Sequence, residues 1–238
     1  MSLQEMIDTF GTVTKTITFE CEINGMGGPL IANSEITGIA LSKILEYADP
    51  IPEDGCVNIW GYNTPFEWVE KYDGYLMLEI DGKPITYVQG YPVMYASGFG
   101  GAFLNEKQLT SITVNSNADF EVPKYYLGVR NDDGVFANNP NCGIFHLREG
   151  QIFELGQEIE FSGYAHAMCL NITAVELSFD RGATWITLPV EDADPTQWVN
   201  WYYKWTPEAA GSYVIMARSV ATDGRVSDEP VEILFNVQ

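Results

Sequence analysis

The chain has 238 residues, 46% of them hydrophobic, and its 12 basic and 33 acidic residues give a net charge of −21. Such a surface repels nucleic acid and anionic membranes, which argues against a nucleic-acid partner and against long-range attraction of anionic substrates. The four cysteines form no C-x-x-C pair and no apolar run reaches membrane-spanning length, so the composition supports neither a disulfide scaffold nor a membrane segment.

The first segment predicts a short amphipathic helix at Gln4–Phe10 and a strand at Val13–Cys21. The strand opens into the glycine-rich loop Gly25–Gly28. A cysteine at such a point has its sulfur near a surface, and nearby backbone N–H groups can stabilise a thiolate that binds a metal. Taken alone, the pattern favours Cys21 as a small buried hydrophobe at a strand end over Cys21 as a metal-binding thiolate. Features elsewhere in the chain are needed to distinguish the two.

The middle of the chain alternates between strands and turns. Ser42 is a plausible N-cap for a helix over Ser42–Tyr47, and Gly98, Gly100 and Gly101 form a loop that is either a connector or a place where the backbone approaches a ligand closely. The sequence predicts further strands at Cys56–Tyr62, Tyr75–Ile80 and Leu109–Val114. It also predicts a helical turn at Phe66–Lys71 and a tight turn at Asp81–Pro84.

From Asn115 to Phe145 the clusters of Asn, Asp, Gly and Pro predict a long irregular connector. After His146 the pattern is strongly β, with short strands and turns at a spacing typical of a β-sandwich of about 90 residues. The predicted strands are Glu158–Tyr164, Ala174–Phe179, Thr184–Leu188, Gln197–Trp205, Ser212–Ala221 and Val231–Val237.

Two further constellations leave alternatives open. Cys142, His146, His166 and Cys169 could close a zinc site, but their spacing matches no zinc motif, so free side chains near a domain junction are favoured, and a Cys142–Cys169 disulfide stays open. An aromatic run could form a carbohydrate-binding surface, although core packing and a dimer seam explain it more simply. The run consists of Trp198, Trp201, Tyr202, Tyr203 and Trp205.

The C-terminal part resembles the immunoglobulin-like dimerisation domain of the sulfite oxidase family. The members of this family are molybdenum-cofactor oxidoreductases. The resemblance rests on S-F-D-R-G-A-T-W within Ala174–Trp185 and on A-R-S-V-A-T-D-G within Ala209–Val226, and it covers residues 147–238. It implies an immunoglobulin-like (E-set) β-sandwich and a homodimer formed through that domain.

The N-terminal part looks like the second portion of the same family's molybdopterin domain. The matching segments are Gly27–Leu45, Asp81–Pro84, Gly90–Val93 and Gly100–Ala102. In that register Cys21 is the thiolate ligand of molybdenum, and Tyr126 is the active-site tyrosine that faces the substrate. The resemblance also implies a set of residues that contact the pterin cofactor, namely Asn24, Gly98, Gly100, Gly101 and Lys107.

The chain departs from the family pattern where the family carries fixed positive charge. Glu22 and Ile23 stand in place of a small residue and a glycine, and Gln89 and Met94 stand where the family has a histidine and an arginine. Charge-assisted hydrogen bonds are individually strong, so the loss of the family's positively charged side chains should weaken the binding of a dianion. The missing charges and the acidic surface argue against sulfite as the substrate.

These observations together predict an α+β fold with three parts. Residues 1–115 form a partial molybdopterin-binding domain, residues 116–146 a connector and residues 147–238 an immunoglobulin-like dimerisation domain. The first hypothesis is a molybdopterin-dependent oxidoreductase, or a fragment of one, that acts on an unknown small-molecule substrate together with an electron-transfer partner. The alternative is a non-catalytic dimerisation or binding module derived from that fold. The resemblance implies an extracytoplasmic location, with any export signal upstream of Met1.

Overall fold

The computed structural model describes most of the chain. The described residues are 1–21, 23–48, 56–59, 62–65, 69, 73–98, 102–115, 128–130, 136–138, 140–167 and 169–238. They divide into two compact units. Unit 1 comprises Met1–Glu22 and Ile31–Tyr126, and unit 2 comprises Ile23–Leu30 and Leu127–Gln238.

The described part is mostly β. Its α-helices are α1 Leu3–Phe10 and α2 Leu41–Ala48, and its short 3₁₀ helices are Tyr87–Gln89 and Ala102–Leu104. The strands of unit 1 are β1 Val13–Glu20, β2 Ile31–Ala40, β3 Cys56–Ile59, β4 Tyr62–Pro65, β5 Gly74–Ile80, β6 Lys83–Pro84, β7 Met94–Ser97 and β8 Ile112–Asn115. The strands of unit 2 are β9 Gly128–Arg130, β10 Phe136–Asn138, β11 Asn141–Phe145, β12 Gln151–Phe153, β13 Ile159–His166, β14 Ile172–Ser178, β15 Ile186–Pro189, β16 Val199–Trp205, β17 Gly211–Ala221 and β18 Val231–Val237.

The larger sheet of unit 1 has the order β1-β2-β5-β6, with β7 paired to β5, and all of these pairings are antiparallel. A second sheet has the order β4-β3-β8. The predicted strand at Tyr75–Ile80 is central to the larger sheet and is buried on both faces. Met77 packs in one apolar cluster with Ile17 and Ile36, and Leu76 packs in another with Ile39 and Leu45. This explains its almost unbroken apolar sequence.

The two α-helices begin for different reasons. Ser2 caps α1, since its Oγ accepts from Glu5 N while Glu5 Oε2 accepts from Ser2 N, as in a capping box. The prediction of Ser42 as N-cap is wrong, because α2 already begins at Leu41. Ser42 instead donates through its backbone N and its Oγ to the carboxylate of Asp73, at 3.1 and 2.9 Å.

The single strand predicted over Cys56–Tyr62 is also wrong. The structure has a hairpin here, because β3 and β4 pair antiparallel with Ile59 opposite Tyr62. Period-two alternation in the sequence continues from β3 into β4, so it does not reveal where one strand ends. The predicted helical turn at Phe66–Lys71 falls largely outside the described residues.

Unit 2 contains a sheet of order β11-β13-β16 and a sheet of order β12-β18-β17-β14-β15, which share one apolar core. Within the second sheet β12 pairs with β18 in parallel and the other pairings are antiparallel. Phe161 and Trp201 of the first sheet pack in the same core as Leu177, Ile215 and Phe235 of the second. The six strands predicted after His146 are present, and β12 is an addition to them.

The predicted connector contains three strands, β9, β10 and β11. The prediction is therefore wrong for β11, where Cys142 is fully buried and the chain pairs with β13 along five residues. The polar and turn-forming residues around it give little strand propensity. Pairing and burial in the tertiary structure override that local preference.

The aromatic run on and before β16 is shared between core and surface. Trp201 is buried, Trp205 stacks on Phe179 with ring centroids 4.9 Å apart, and Tyr202 is exposed. Most of the run therefore packs inside unit 2, as the simpler interpretation expects, and it does not form one exposed aromatic surface. None of the described helices is long and apolar enough to span a membrane.

Candidate functional site

Cys21 lies at the start of the loop that connects β1 to β2. The last residue of β1, Glu20, pairs with the first residue of β2, Ile31, so the loop comprises residues 21–30. Cys21 forms no disulfide and is only partly buried, whereas Cys56, Cys142 and Cys169 form no disulfide and are buried. Cys21 is thus the one cysteine of the chain that is not buried.

The glycines after Cys21 shape this loop. Gly28 N donates to Gly25 O at 2.9 Å, which closes a tight turn. Gly27 has a φ of +66°, in the left-handed region that glycine adopts without strain. At Gly28 a Cβ atom would overlap the side-chain oxygen of Asn24, so glycine is required there as well.

Asn24, predicted to contact the pterin, lies buried inside the loop with 4% of its surface exposed. Its Oδ1 accepts a hydrogen bond from Leu30 N at 2.9 Å and so joins the two ends of the loop. This contact gives Asn24 a structural role, and its predicted contact with a cofactor stays a prediction.

The loop residues Ile23–Leu30 pack within unit 2. Asn141 Oδ1 accepts from Gly27 N at 2.9 Å, and Asn141 Nδ2 donates to Gly25 O at 3.4 Å. Tyr164 Oη donates to Gly28 O at 2.7 Å. Residues more than a hundred positions away in sequence therefore hold the loop that follows Cys21.

Sequence analysis does not identify Asn141 and Tyr164 as hydrogen-bond partners of loop residues 25–28. Asn141 falls in the segment predicted to be irregular, and nothing in its local sequence distinguishes it from the neighbouring asparagines. Tyr164 ends the predicted strand Glu158–Tyr164, but a strand pattern does not reveal which distant backbone atom a hydroxyl will reach.

Gly98 and Lys107 lie at opposite ends of β7, since Gly98 follows Ser97, whereas Lys107 follows Glu106, which pairs with Tyr95. Gly98 is buried directly after the strand, and the exposed Lys107 donates through Nζ to Val88 O at 2.7 Å. Ala96 of β7 and Ala40, the last residue of β2, both pair with Tyr75 of β5. Cys21 instead follows Glu20, which pairs with Ile31, the first residue of β2. The strand register therefore does not bring Cys21 and Gly98 together. Gly100, Gly101 and Tyr126 lie outside the described residues.

Two positions where the chain departs from the family pattern have structural contacts. Gln89 Oε1 accepts from Thr86 N at 2.9 Å and from Thr86 Oγ1 at 2.8 Å, which caps the short helix Tyr87–Gln89. Met94 is buried among apolar side chains on β7. Neither side chain supplies the positive charge that the family has at these positions.

The possible zinc site and the possible disulfide are not formed. Cys142 and Cys169 form no disulfide, and the described residues contain no group of three His, Cys, Asp or Glu side chains that could hold a metal ion. Burial raises the pKa of the Cys142 thiol to about 12, against a smaller opposing effect of a hydrogen bond with Trp201. Cys142 is therefore a neutral core residue at physiological pH.

Comparisons with known proteins agree with this architecture. The family model described as the oxidoreductase molybdopterin binding domain matches residues 1–122. The crystal structure of the sulfane dehydrogenase SoxCD from Paracoccus pantotrophus resembles this chain with a TM-score of 0.72 and 20% sequence identity. The match covers 95% of this chain and 64% of that chain, so the present chain spans less than two thirds of its neighbour. At this identity the similarity shows the fold alone.

Two further structures resemble only part of the chain. A fibronectin(III)-like module structure of CbhA from Clostridium thermocellum has a TM-score of 0.33 and 14% identity over 41% of this chain and 96% of that one. The PKD domain of an M14-like peptidase from a Thermoplasmatales archaeon has a TM-score of 0.30 and 13% identity over 42% of this chain and 94% of that one. These scores are too low to support an argument. No curated protein matches the chain significantly.

Proposed function

The chain belongs to the family of the oxidoreductase molybdopterin binding domain, and from this we propose that it is an oxidoreductase, or part of one, that uses a molybdopterin-type cofactor on a small-molecule substrate. The family match confirms the resemblance to the sulfite oxidase family. It is also the observation that carries the proposal, because the matched residues 1–122 include Cys21 and its loop. Nothing specific favours the alternative of a non-catalytic module.

The chemistry of Cys21 fits a molybdenum ligand. A thiolate ligand must be accessible to the metal and must not be committed to a disulfide. Cys21 meets both conditions, since its thiol is free and partly exposed, while Cys56, Cys142 and Cys169 are buried. The described residues contain no cluster of three metal-binding side chains. This does not argue against a molybdenum site, because the resemblance requires only one protein thiolate.

When bound, a molybdopterin-type cofactor supplies a metal centre that exchanges two electrons with the substrate. The protein would hold that centre through the Cys21 thiolate. Lys107 uses one of its three N–H donors on Val88 O, so it retains donors for an anionic group. The roles of Asn24, Gly98, Gly100, Gly101, Lys107 and Tyr126 at the cofactor and substrate are part of this proposal.

The net charge of the chain affects which substrates it attracts. With a net charge of −21 and without the family's charged residues at Gln89 and Met94, the protein offers little attraction to an oxyanion. We therefore propose a neutral or cationic substrate in preference to sulfite, with electrons passing to a separate transfer partner.

For unit 2 we propose an immunoglobulin-like (E-set) sandwich that forms a homodimer. Its two sheets over a shared core support the sandwich, and the C-terminal resemblance supports the dimer. Light scattering coupled to size-exclusion chromatography should give about twice the chain mass of 26.5 kDa at micromolar concentration. A mass of one chain across the whole concentration range would contradict the dimer.

The test of the function is molybdenum analysis of the full chain, purified from a host that makes the cofactor. We expect molybdenum in the wild type and a loss of more than about tenfold in Cys21→Ser, because a hydroxyl does not replace a thiolate as ligand. Cys56→Ala is the matched control, since it removes a buried thiol of the same unit and should keep the metal. Wild-type protein without molybdenum, or equal molybdenum in Cys21→Ser, would contradict the proposal.

A further inference from the structure

The turn that leads into β12 lines a cavity of about 500 Å³ that is open to solvent. Its described lining consists of His146, Arg148, Glu149, Gly150 and Gln151. All five residues belong to unit 2, so this lining lies within one compact unit. The volume falls in the range of small-molecule sites, which makes the chemistry of the lining the next question.

Hydrogen bonds fix this turn on strand β18 and across its own width. Gly150 N donates to Leu234 O at 2.8 Å, and Leu234 N donates to Glu149 Oε2 at 3.1 Å. Gln151 N donates to Arg148 O at 3.1 Å, and Arg148 N donates to Gln151 Oε1 at 3.1 Å. The backbone of the lining is therefore ordered before a ligand binds, so binding loses little conformational entropy there.

The same bonds determine which polar groups of the lining are still available. The side-chain oxygen of Gln151 and one carboxylate oxygen of Glu149 already accept from backbone N–H groups. Within the described residues, the Arg148 guanidinium, the Gln151 amide nitrogen and the His146 ring form no hydrogen bond. The available side-chain groups are therefore mainly donors, with the second oxygen of Glu149 as an acceptor.

Arg148 also forms no ion pair in the part of the chain that the structure describes. Acidic residues outnumber basic ones by 33 to 12, and two other arginines of unit 2, Arg218 and Arg225, each pair with a carboxylate at 2.7 Å. An unpaired guanidinium presents a planar fork of donors that matches a carboxylate group. Arg148 is thus available to an anionic ligand.

The backbone of His146 adds an independent observation. Its φ of +58° lies in the left-handed region, which costs free energy in a residue with a Cβ atom. Such conformations cluster at ligand sites, where the surrounding structure maintains them. The imidazole also contacts the Phe145 ring, with centroids 6.1 Å apart, and this contact limits the directions that it can take.

We propose that this cavity binds a small hydroxy acid, whose carboxylate the Arg148 guanidinium holds with the Gln151 amide and the His146 ring as further donors. The free oxygen of Glu149 accepts from the hydroxyl of the ligand, which distinguishes a hydroxy acid from a simple inorganic anion. Because the net charge of −21 repels anions at long range, the affinity comes from these short contacts. The proposal uses neither Cys21 nor a cofactor and therefore does not depend on the proposed function.

Titration of the full, ¹⁵N-labelled chain with sodium lactate at constant ionic strength tests the proposal. The backbone amide signals of residues 148–151 should shift and saturate with a Kd of about 1–10 mM. Lactamide keeps the hydroxyl of lactate but lacks its charge. It should bind at least about tenfold more weakly, because it loses the charge-assisted hydrogen bonds to Arg148.

Three variants assign the binding to particular side chains. Arg148→Gln should weaken lactate binding at least about tenfold, since it removes the charged fork. His146→Gly removes the ring at a backbone conformation that glycine adopts without strain, and it should weaken binding about threefold. Arg181→Gln is the matched control, because it removes the same charge from an exposed arginine of unit 2 outside the lining. It should leave the Kd within about twofold of the wild type.

The proposal is overturned if the shifts at residues 148–151 do not saturate below about 50 mM lactate, or if lactamide binds as well as lactate. Both comparisons use the wild-type protein and do not depend on the folding of a variant. Equal binding by Arg148→Gln and the wild type would also overturn it. Equal weakening by Arg148→Gln and Arg181→Gln would do the same, because it would show an effect of net charge without a site.

Discussion

At the scale of single residues, Asn24 shows how a motif position can acquire a structural task. Its side-chain oxygen binds Leu30 N within the loop, and Gly28 is a glycine because any Cβ would overlap that same oxygen. Asn24 and Gly28 therefore depend on each other sterically. The resemblance singles out Asn24 by its place in the sequence, but only the contacts reveal what its oxygen accepts.

Asp180 carries a residue-scale prediction about pH. Thr184 Oγ1 donates to its carboxylate at 2.6 Å, Thr184 N donates at 2.8 Å and Ser178 Oγ donates at 2.8 Å. These bonds, with the Thr184 hydroxyl as the largest cause, lower the pKa of Asp180 from 3.8 to about 2. Because the folded pKa is depressed, the stabilisation is fully present above about pH 4 and is lost as the pH falls towards 2.

Thr184→Val should therefore raise the pKa of Asp180 towards 3.8, as measured by NMR titration of its carboxyl carbon. The stability difference between wild type and variant should shrink between about pH 4 and 2. An Asp180 pKa that stays near 2 in the variant would mean that Ser178 and the backbone suffice.

At the scale of elements, the interior of unit 2 depends on close approach of β11, β13 and β16. Gly163 of β13 lies so near the Gly143 carbonyl of β11 and the Trp201 ring of β16 that a Cβ would overlap both. The same strand carries Tyr164, which holds the Cys21 loop. The packing of this sheet thus also sets the position of the tyrosine that binds Gly28 O.

Gly163→Ala should lower the free energy of unfolding by about 3 kcal/mol, the upper end of overpacking costs, because one of the overlapping atoms is backbone and cannot rotate away. Urea denaturation followed by tryptophan fluorescence measures the change, with an unchanged m-value expected. Ser162→Ala on the same strand is the control and should change the stability by less than about 1 kcal/mol. Similar effects of the two substitutions would contradict the steric argument.

At the scale of the whole molecule, the dominant quantity is the net charge of −21. Like charges dispersed over a folded surface repel one another and destabilise the compact state. Dissolved salt screens this repulsion, since the Debye length falls from about 30 Å at 0.01 M to about 3 Å at 1 M.

The melting temperature should accordingly rise by at least about 2 °C when sodium chloride is raised from about 0.01 to 0.5 M, which corresponds to roughly 1 kcal/mol for a chain of this size. Differential scanning calorimetry measures it, and a sugar at equal osmolality controls for solvent exclusion. A melting temperature that is insensitive to salt would show that the acidic groups are too dispersed to repel one another effectively.

Much of the fold could be predicted from sequence because the signals were local. Helix α1 follows from an amphipathic pattern, and β14 follows from strict alternation. The failures occurred where local signals were silent. The alternation of apolar and polar residues continues from β3 into β4, so the sequence did not show that two strands pair there. Strand β11 has too little strand propensity to be recognised from sequence, and its pairing with β13 is seen only in the structure.

By itself the sequence determined the family, the strongly β part after His146 and the identity of Cys21 as the cysteine to examine, since motifs, alternation and the strand-to-loop transition are encoded in consecutive residues. The fold class predicted for the whole chain was α+β, whereas its described part is mostly β. Only the tertiary structure decided that Cys21 is the one partly exposed thiol, that Asn24 braces its own loop and that Asn141 and Tyr164 hold that loop. The physical reason is that these contacts join residues between six and 136 positions apart, and no local sequence pattern records which of them meet.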